Sequence, residues 1–371
     1  MNKDLYVLGA GFGRDFNPKT FPLMSDFLSL ARRNGHYNPD QTHQVLASFM
    51  NRYFGSPEYG DIEKIMSFLA LPALDDRFVP YENRSFLYDL LVRMITNSLS
   101  RAHFASSDEN TRTVYEGFAK HLVETDSVVI SFNYDLLLEK LLYEAGAWCG
   151  YDGYGADIPP ISTASPLPGR RKGLNYSSYK ESKVIILKPH GSISWGIPTW
   201  QDFEKAIICQ DDLLYAPGRD FMDLMHVQAV EDKTVLSISA PFTEYYRSVI
   251  IPPVLDKVGW YEKAAIRVIW NMAKEAVRNA ENIFFIGYSM PPTDFTAEFL
   301  FRQAIAWSSV DSWPIFGPPS DERPKQKRVL VVNPKAAELK DRYAELFGKD
   351  ITLVAKSFKD WFYSENYGNC K

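Results

Sequence analysis

Short apolar runs, each broken by glycine, proline or asparagine, punctuate the chain at wide intervals. Leu5–Leu8 runs into Gly9-Ala10-Gly11-Phe12-Gly13, and Ser127–Ser131 into Asn133-Tyr134-Asp135. Lys183–Leu187 leads to Lys188-Pro189-His190-Gly191-Ser192, Ile283–Ile286 to Gly287-Tyr288-Ser289, and Arg328–Val332 to Asn333-Pro334. Nearly continuous apolar residues over so short a length predict strands buried on both faces. Helical spacing follows them, over residues 136–145, up to Asn279, after Pro291-Pro292-Thr293-Asp294, and over 336–347, with Ile351–Val354 as a last strand. The alternation predicts an α/β fold: a Rossmann-like parallel sheet with helices on both faces.

Two stretches break the rhythm. Residues 42–124 hold no strand-like run. Their apolar positions, Ile62, Ile65, Met66 and Leu69, then Phe86, Leu87, Leu90, Leu91 and Met94, recur at helical spacing and predict an inserted helical module. Residues 196–248 are mixed and polar, and read as an insertion or a β-rich flap. The core is thus expected in three parts, 1–41, 125–195 and 249–371, with long irregular loops at 150–182 and 308–327.

Composition narrows the function classes. The 371 residues are 46% hydrophobic and carry a formal charge of −5, so a globular protein without direct nucleic-acid binding is expected. Cys149, Cys209 and Cys370 are too scattered for a disulfide framework or paired zinc ligands, so a reducing cytoplasm and no metal are expected. No apolar run approaches the ~20 residues of a membrane span, and no phosphate-binding G-x-x-x-x-G-K-[S/T] occurs.

In open parallel sheets the ligand lies outside the carboxyl ends of the strands. Those ends carry the residues with chemistry to offer. Gly9-x-Gly11-x-Gly13 has Arg14 where a dehydrogenase fingerprint needs glycine. It still lets backbone amides approach a pyrophosphate, and serves equally as a tight strand-to-helix turn. Either Asn133 or Asp135 can cap the helix that follows, leaving the other available. His190, bracketed by Pro189 and Gly191, titrates in the range useful to a base.

Taken together, Gly9-Ala10-Gly11-Phe12, Phe132-Asn133-Tyr134-Asp135, Lys188-Pro189-His190-Gly191-Ser192, Gly287-Tyr288-Ser289 and Asn333 resemble, in order and spacing, the NAD-binding core of sirtuins. Phe132–Asp135, Lys188–Ser192 and Gly287–Asp294 are more similar still to the sirtuin-like proteins of bacterial antiphage defence. The resemblance implies NAD as substrate. It sets the diphosphate against Gly9, Ala10, Gly11 and Phe12, and the adenosine end near Gly287, Ser289 and Asn333. Asn133, Asp135 and His190 would face the nicotinamide ribose as catalytic residues. Deacylating sirtuins carry a four-cysteine zinc module that this chain lacks, which favours an NAD glycohydrolase. A zinc-free deacylase and a non-catalytic NAD or ADP-ribose sensor stay open as alternatives. The family further implies an antiphage effector that depletes NAD, restrained by homo-oligomerisation or by a HerA-type hexameric ATPase.

Overall fold

The chain begins with β1 (Asp4–Leu8) and α1 (Ala10–Phe16), and passes through α2 (Phe27–Arg33), α3 (Gln44–Phe54), α4 (Ile62–Ala70), α5 (Tyr81–Leu99) and α6 (Glu109–Glu124). It returns as β2 (Val128–Ser131) and α7 (Leu137–Glu144), then β3 (Ile185–Leu187), β4 (Gly191–Pro198), β5 (Ile208–Cys209) and β6 (Tyr246–Ile250). The last third alternates α8 (Ala264–Asn279), β7 (Asn282–Ile286), α9 (Phe295–Ala306), β8 (Arg328–Val332), α10 (Lys340–Phe347), β9 (Ile351–Val354) and α11 (Phe358–Asn366). The computed structural model describes residues 4–41, 43–70, 81–100, 102, 105–150, 152–156, 158, 182–198, 208–209, 246–251, 264–306 and 327–366. The irregular loops expected at 150–182 and 308–327 lie largely outside the described residues.

Six strands form one parallel sheet in the order β3-β2-β1-β7-β8-β9. Numbered within this sheet alone, that is the doubly wound Rossmann order, with the direction of winding reversing between β1 and β7. Leu8 pairs with both Ser131 and Ile286, so β1, β2 and β7 end level and release their turns side by side.

Alternation along the strands covers both faces, as expected for an α/β sheet. Tyr6 and Phe284 stack 4.9 Å apart beneath α6 and α11, where Tyr6 meets Phe118 edge-on and its hydroxyl lies 2.7 Å from His121 Nε2. The next residue, Phe285, points the other way, against Phe301 of α9 and Tyr343 and Phe347 of α10. Helix α6 is started by Asp108, whose carboxylate accepts from Thr111 N and Oγ1, and buries Val114, Tyr115, Phe118 and Leu122. Its Tyr115 hydroxyl donates to Phe12 O at 2.6 Å and so ties α1 to the same layer.

Among the described residues the stretch 42–124 contains α3–α6 and no strand. A second, antiparallel sheet of order β5-β4-β6 starts at Gly191. There φ is +83°, and a Cβ would collide with Val249 O, so β6 can close on the residue after His190 only because position 191 is glycine.

At the reversal point the two glycine turns meet backbone to backbone. Gly9 N donates to Ile286 O at 3.0 Å and Gly11 N to Gly287 O at 2.9 Å. A Cβ on Gly9 would lie 2.5 Å from Tyr288 Cα, and one on Gly287, where φ is +60°, 2.5 Å from Phe12 N. Gly55, the C-cap of α3, is also left-handed, at φ +75°, but nothing lies within 4 Å of where its Cβ would be. Replacing Gly55 by Ala is therefore expected to cost about 1–2 kcal/mol from backbone conformation alone. Gly287→Ala adds overpacking and should cost about 3 kcal/mol or more. Urea unfolding midpoints of the two variants test this, and equal losses would refute the crowding.

Candidate active site

Asn133 and Asp135 leave the end of β2 in different directions. Asn133 Nδ2 donates to Gly9 O at 2.9 Å, spanning to the glycine turn and keeping Oδ1 as an acceptor. Asp135 Oδ1 accepts from Leu137 N at 3.0 Å, so of the two candidates it is Asp135 that bonds the start of α7, from one residue before the N-cap Leu136. Burial pushes the Asp135 carboxyl up to about 6, opposed by the Lys188 charge and the Leu137 amide and assisted by Glu139.

A buried ion pair lies beneath this turn. Lys188, fully buried, places Nζ 2.6 Å from Glu139 Oε1 and donates to Asp135 O at 2.5 Å. The Tyr154 hydroxyl is 3.3 Å from both Glu139 Oε1 and Ser194 Oγ, and Ser192 Oγ is 3.1 Å from Ser194 Oγ. An ammonium out of water needs such partners, and here they bind the end of β3 to α7 and β4. The sequence reading gave Lys188 no role.

His190 follows, with only 4% of its surface exposed. Its carbonyl accepts from Ile251 N at 2.8 Å, and Trp270 Nε1 donates to the preceding Pro189 O at 3.1 Å. The ring lies edge-on to Phe132, which stacks on Tyr288 at 4.7 Å. His190 Nε2 is 3.3 Å from Oδ2 of Asp294, a carboxylate with 1% exposure. That same Oδ2 accepts from the Tyr288 hydroxyl at 3.0 Å, while Oδ1 accepts from Thr296 Oγ1 and Ala297 N. Asp294 was legible only as the start of a helix, which it is. Its pairing with a histidine far away in sequence is a product of the fold.

The remaining expected residues are distributed unevenly. Gly9, Ala10, Gly11 and Phe12 are brought against Gly287, but the amides of Gly9, Gly11 and Phe12 donate to Ile286 O, Gly287 O and Gly9 O. A diphosphate on this turn would have to compete with those bonds or use Ala10. Ser289 is exposed, and its carbonyl accepts from Arg342 Nη1 at 2.6 Å. Asn333 closes its own turn, with Oδ1 accepting from Lys335 N and its amide donating to Val354 O. Among the described residues no group of three or more His, Cys, Asp or Glu side chains is arranged to hold a metal, and no helix is long and apolar enough to cross a membrane.

No family model matches the chain, and no curated protein does. Among solved structures it is similar to the crystal structure of a Sir2 homologue in complex with NAD, at 11% identity and a TM-score of 0.40, over 97% of this chain and 87% of the other. A second is a structure bearing on sirtuin substrate affinity, at 11% identity and a TM-score of 0.36, over 98% of this chain and 93% of the other. At these scores the fold assignment rests on the strand order itself: this is a doubly wound α/β protein with Asn133, Asp135, Lys188 and His190 buried just beyond the carboxyl ends of β2 and β3.

Asp135 gives the site a pH signature. Its folded carboxyl titrates at about 6 against an ordinary value of 3.8, so between these values the folded protein holds the proton more tightly than the unfolded chain. The stability tied to protonation is complete below the unfolded value and is lost as pH rises through the folded one, by about 3 kcal/mol in all. Asp135→Asn keeps an acceptor for Leu137 N and removes the titration. The variant should therefore gain stability relative to wild type between pH ~4 and ~7, and a difference in unfolding free energy that does not move with pH would exclude the effect.

Proposed function

We propose that the protein is an NAD glycohydrolase, which splits NAD and water into nicotinamide, ADP-ribose and a proton. The observation that supports this reading is the bond from Asn133 to the glycine turn where the sheet's winding reverses, with His190 linked to the same place through Phe132 and Tyr288. The resemblance of the strand-end residues to the NAD-binding core of sirtuins supports the same substrate.

The chemistry suits the residues. Breaking the bond between nicotinamide and ribose releases a neutral base from a cation and leaves an oxocarbenium-like sugar. A water oxygen then bonds to the anomeric carbon and sheds one proton. Asn133 Oδ1, directed by the bond from Nδ2 to Gly9 O, is the acceptor that would orient this water or a ribose hydroxyl. His190 would take the proton. Asp135, partly protonated near neutrality, would lie near the ribose and carboxamide rather than act as the main base. Gly9–Phe12 would carry the diphosphate, and Gly287, Ser289 and Asn333 the adenosine end.

On this reading the protein depletes NAD as an antiphage effector. An unrestrained enzyme of this kind would kill its host, which supports control by self-assembly and by a HerA-type ATPase partner.

Incubation of the purified protein with NAD alone, with nicotinamide followed by chromatography, is expected to give steady release. His190→Ala and Asn133→Ala should each slow it by about 10²-fold or more. Release that begins only when an acyl-lysine peptide is added would make the protein a deacylase. NAD binding with no release under any condition would make it a binding module.

A further inference from the structure

The Asp294 carboxylate divides its work between its two oxygens. Oδ1 accepts from Thr296 Oγ1 at 3.0 Å and from Ala297 N at 3.3 Å, which is the bonding of a helix cap for α9. Oδ2 takes no part in the cap. It accepts from the Tyr288 hydroxyl at 3.0 Å and lies 3.3 Å from His190 Nε2. A cap needs neither of these contacts, and a surface cap would leave its second oxygen in water. Here it is buried at the start of α9 against a histidine that follows β3.

We propose that Asp294 is the positioning residue of this site: Oδ2 holds His190 in the tautomer protonated at Nε2, so that Nδ1 is the ring's proton acceptor. An ionised carboxylate only accepts, so a neutral imidazole facing it must present N–H at that nitrogen and keep its lone pair at the other. Tyr288 supports this. Its hydroxyl is held protonated well above the ordinary tyrosine range by burial, then by the Asp294 charge, so it remains a donor and does not compete for the histidine's proton. Phe132, stacked on Tyr288 and edge-on to the imidazole, limits rotation of the ring. Ile251 N and Trp270 Nε1 hold the backbone on either side of the Pro189–His190 peptide. A proton arriving at Nδ1 makes an imidazolium whose charge faces the carboxylate, and catalytic contacts of this type are often long before substrate binds and tighten with it.

The catalytic part of the proposal rests on the glycohydrolase reading. The tautomer does not, and the two are tested separately. Protein labelled with ¹⁵N-histidine, with the His190 signals assigned from His190→Gln, reports the tautomer directly at a pH well above the histidine range. Wild type should be protonated at Nε2. In Asp294→Asn the amide can keep the cap through Oδ1 while placing an NH₂ toward His190 and Tyr288, so the ring should switch to the Nδ1-protonated form. In Tyr288→Phe the carboxylate remains, and the Nε2-protonated form should persist. With NAD, Asp294→Asn should lower kcat by roughly 10²–10⁴-fold with KM changed only a few-fold.

A wild-type ring protonated at Nδ1 overturns the proposal, even if Asp294→Asn cannot be folded. So does a folded Asp294→Asn protein whose tautomer and kcat are unchanged. If NAD is left intact by wild type and the tautomer still switches, the positioning contact stands and the glycohydrolase reading falls.

Discussion

The structure depends on two backbone turns that touch without side chains between them. The Gly9–Gly11 turn rests on Gly287 at the centre of the sheet, with amide-to-carbonyl bonds joining the end of β1 to the end of β7. From this contact the neighbouring positions follow. Asn133 can reach Gly9 O because β1 and β2 end in register. Tyr288, one residue past Gly287, comes to lie on Phe132, one residue past the end of β2. Asp294 is drawn beneath His190 by the Tyr288 hydroxyl and by the start of α9. A side chain in the glycine contact would separate β1 from β7 at the place where the polar residues converge.

Charge is the second constraint. Lys188–Glu139 and His190–Asp294 sit on successive parts of one strand-end turn, and in both pairs each side chain is 5% exposed or less. Burying a charge is costly unless hydrogen bonds complete its shell. Lys188 has the Asp135 carbonyl, Glu139 has the Tyr154 hydroxyl, and Asp294 has Tyr288, Thr296 and Ala297. An apolar core would stabilise the fold as well, but it would not fix the Asn133–Asp135 turn or the plane of the His190 ring. These polar partners exchange stability for position, which is the arrangement expected where chemistry needs groups held in place.

The elements were legible where apolar runs met breakers. The five runs from Leu5–Leu8 to Arg328–Val332 are all strands of the parallel sheet, because burial on both faces forces a sequence signature that survives without tertiary information. The strand ends that carry Asn133, Asp135 and His190 were legible for the same reason. What spacing could not supply was any contact between distant segments. It left open which of Asn133 and Asp135 bonds the start of α7, it did not give Lys188 its partner, and it presented Asp294 as a helix start only. The glycine turn is the clearest case. Gly9-x-Gly11 fits amides approaching a pyrophosphate and a tight strand-to-helix turn equally well in sequence, whereas in the fold Gly11 N is turned to Gly287 O, a residue from the last third of the chain.

The position of β1 at the centre of the sheet has a consequence for biosynthesis. It is made before the other strands of this sheet, yet its far neighbour β7 pairs through Asp4 and Asn282, which are 278 residues apart. At about 5–20 residues per second, a ribosome needs roughly 14–56 s to close that gap. For this interval β1 has β2 along one edge at most, and the other edge stays unpaired until the final third emerges. Long-range parallel pairing of this kind is slow, because the loop must be closed before any bond repays it. The same contact that assembles the site thus forms late, and the nascent chain is exposed to misassociation while waiting for it.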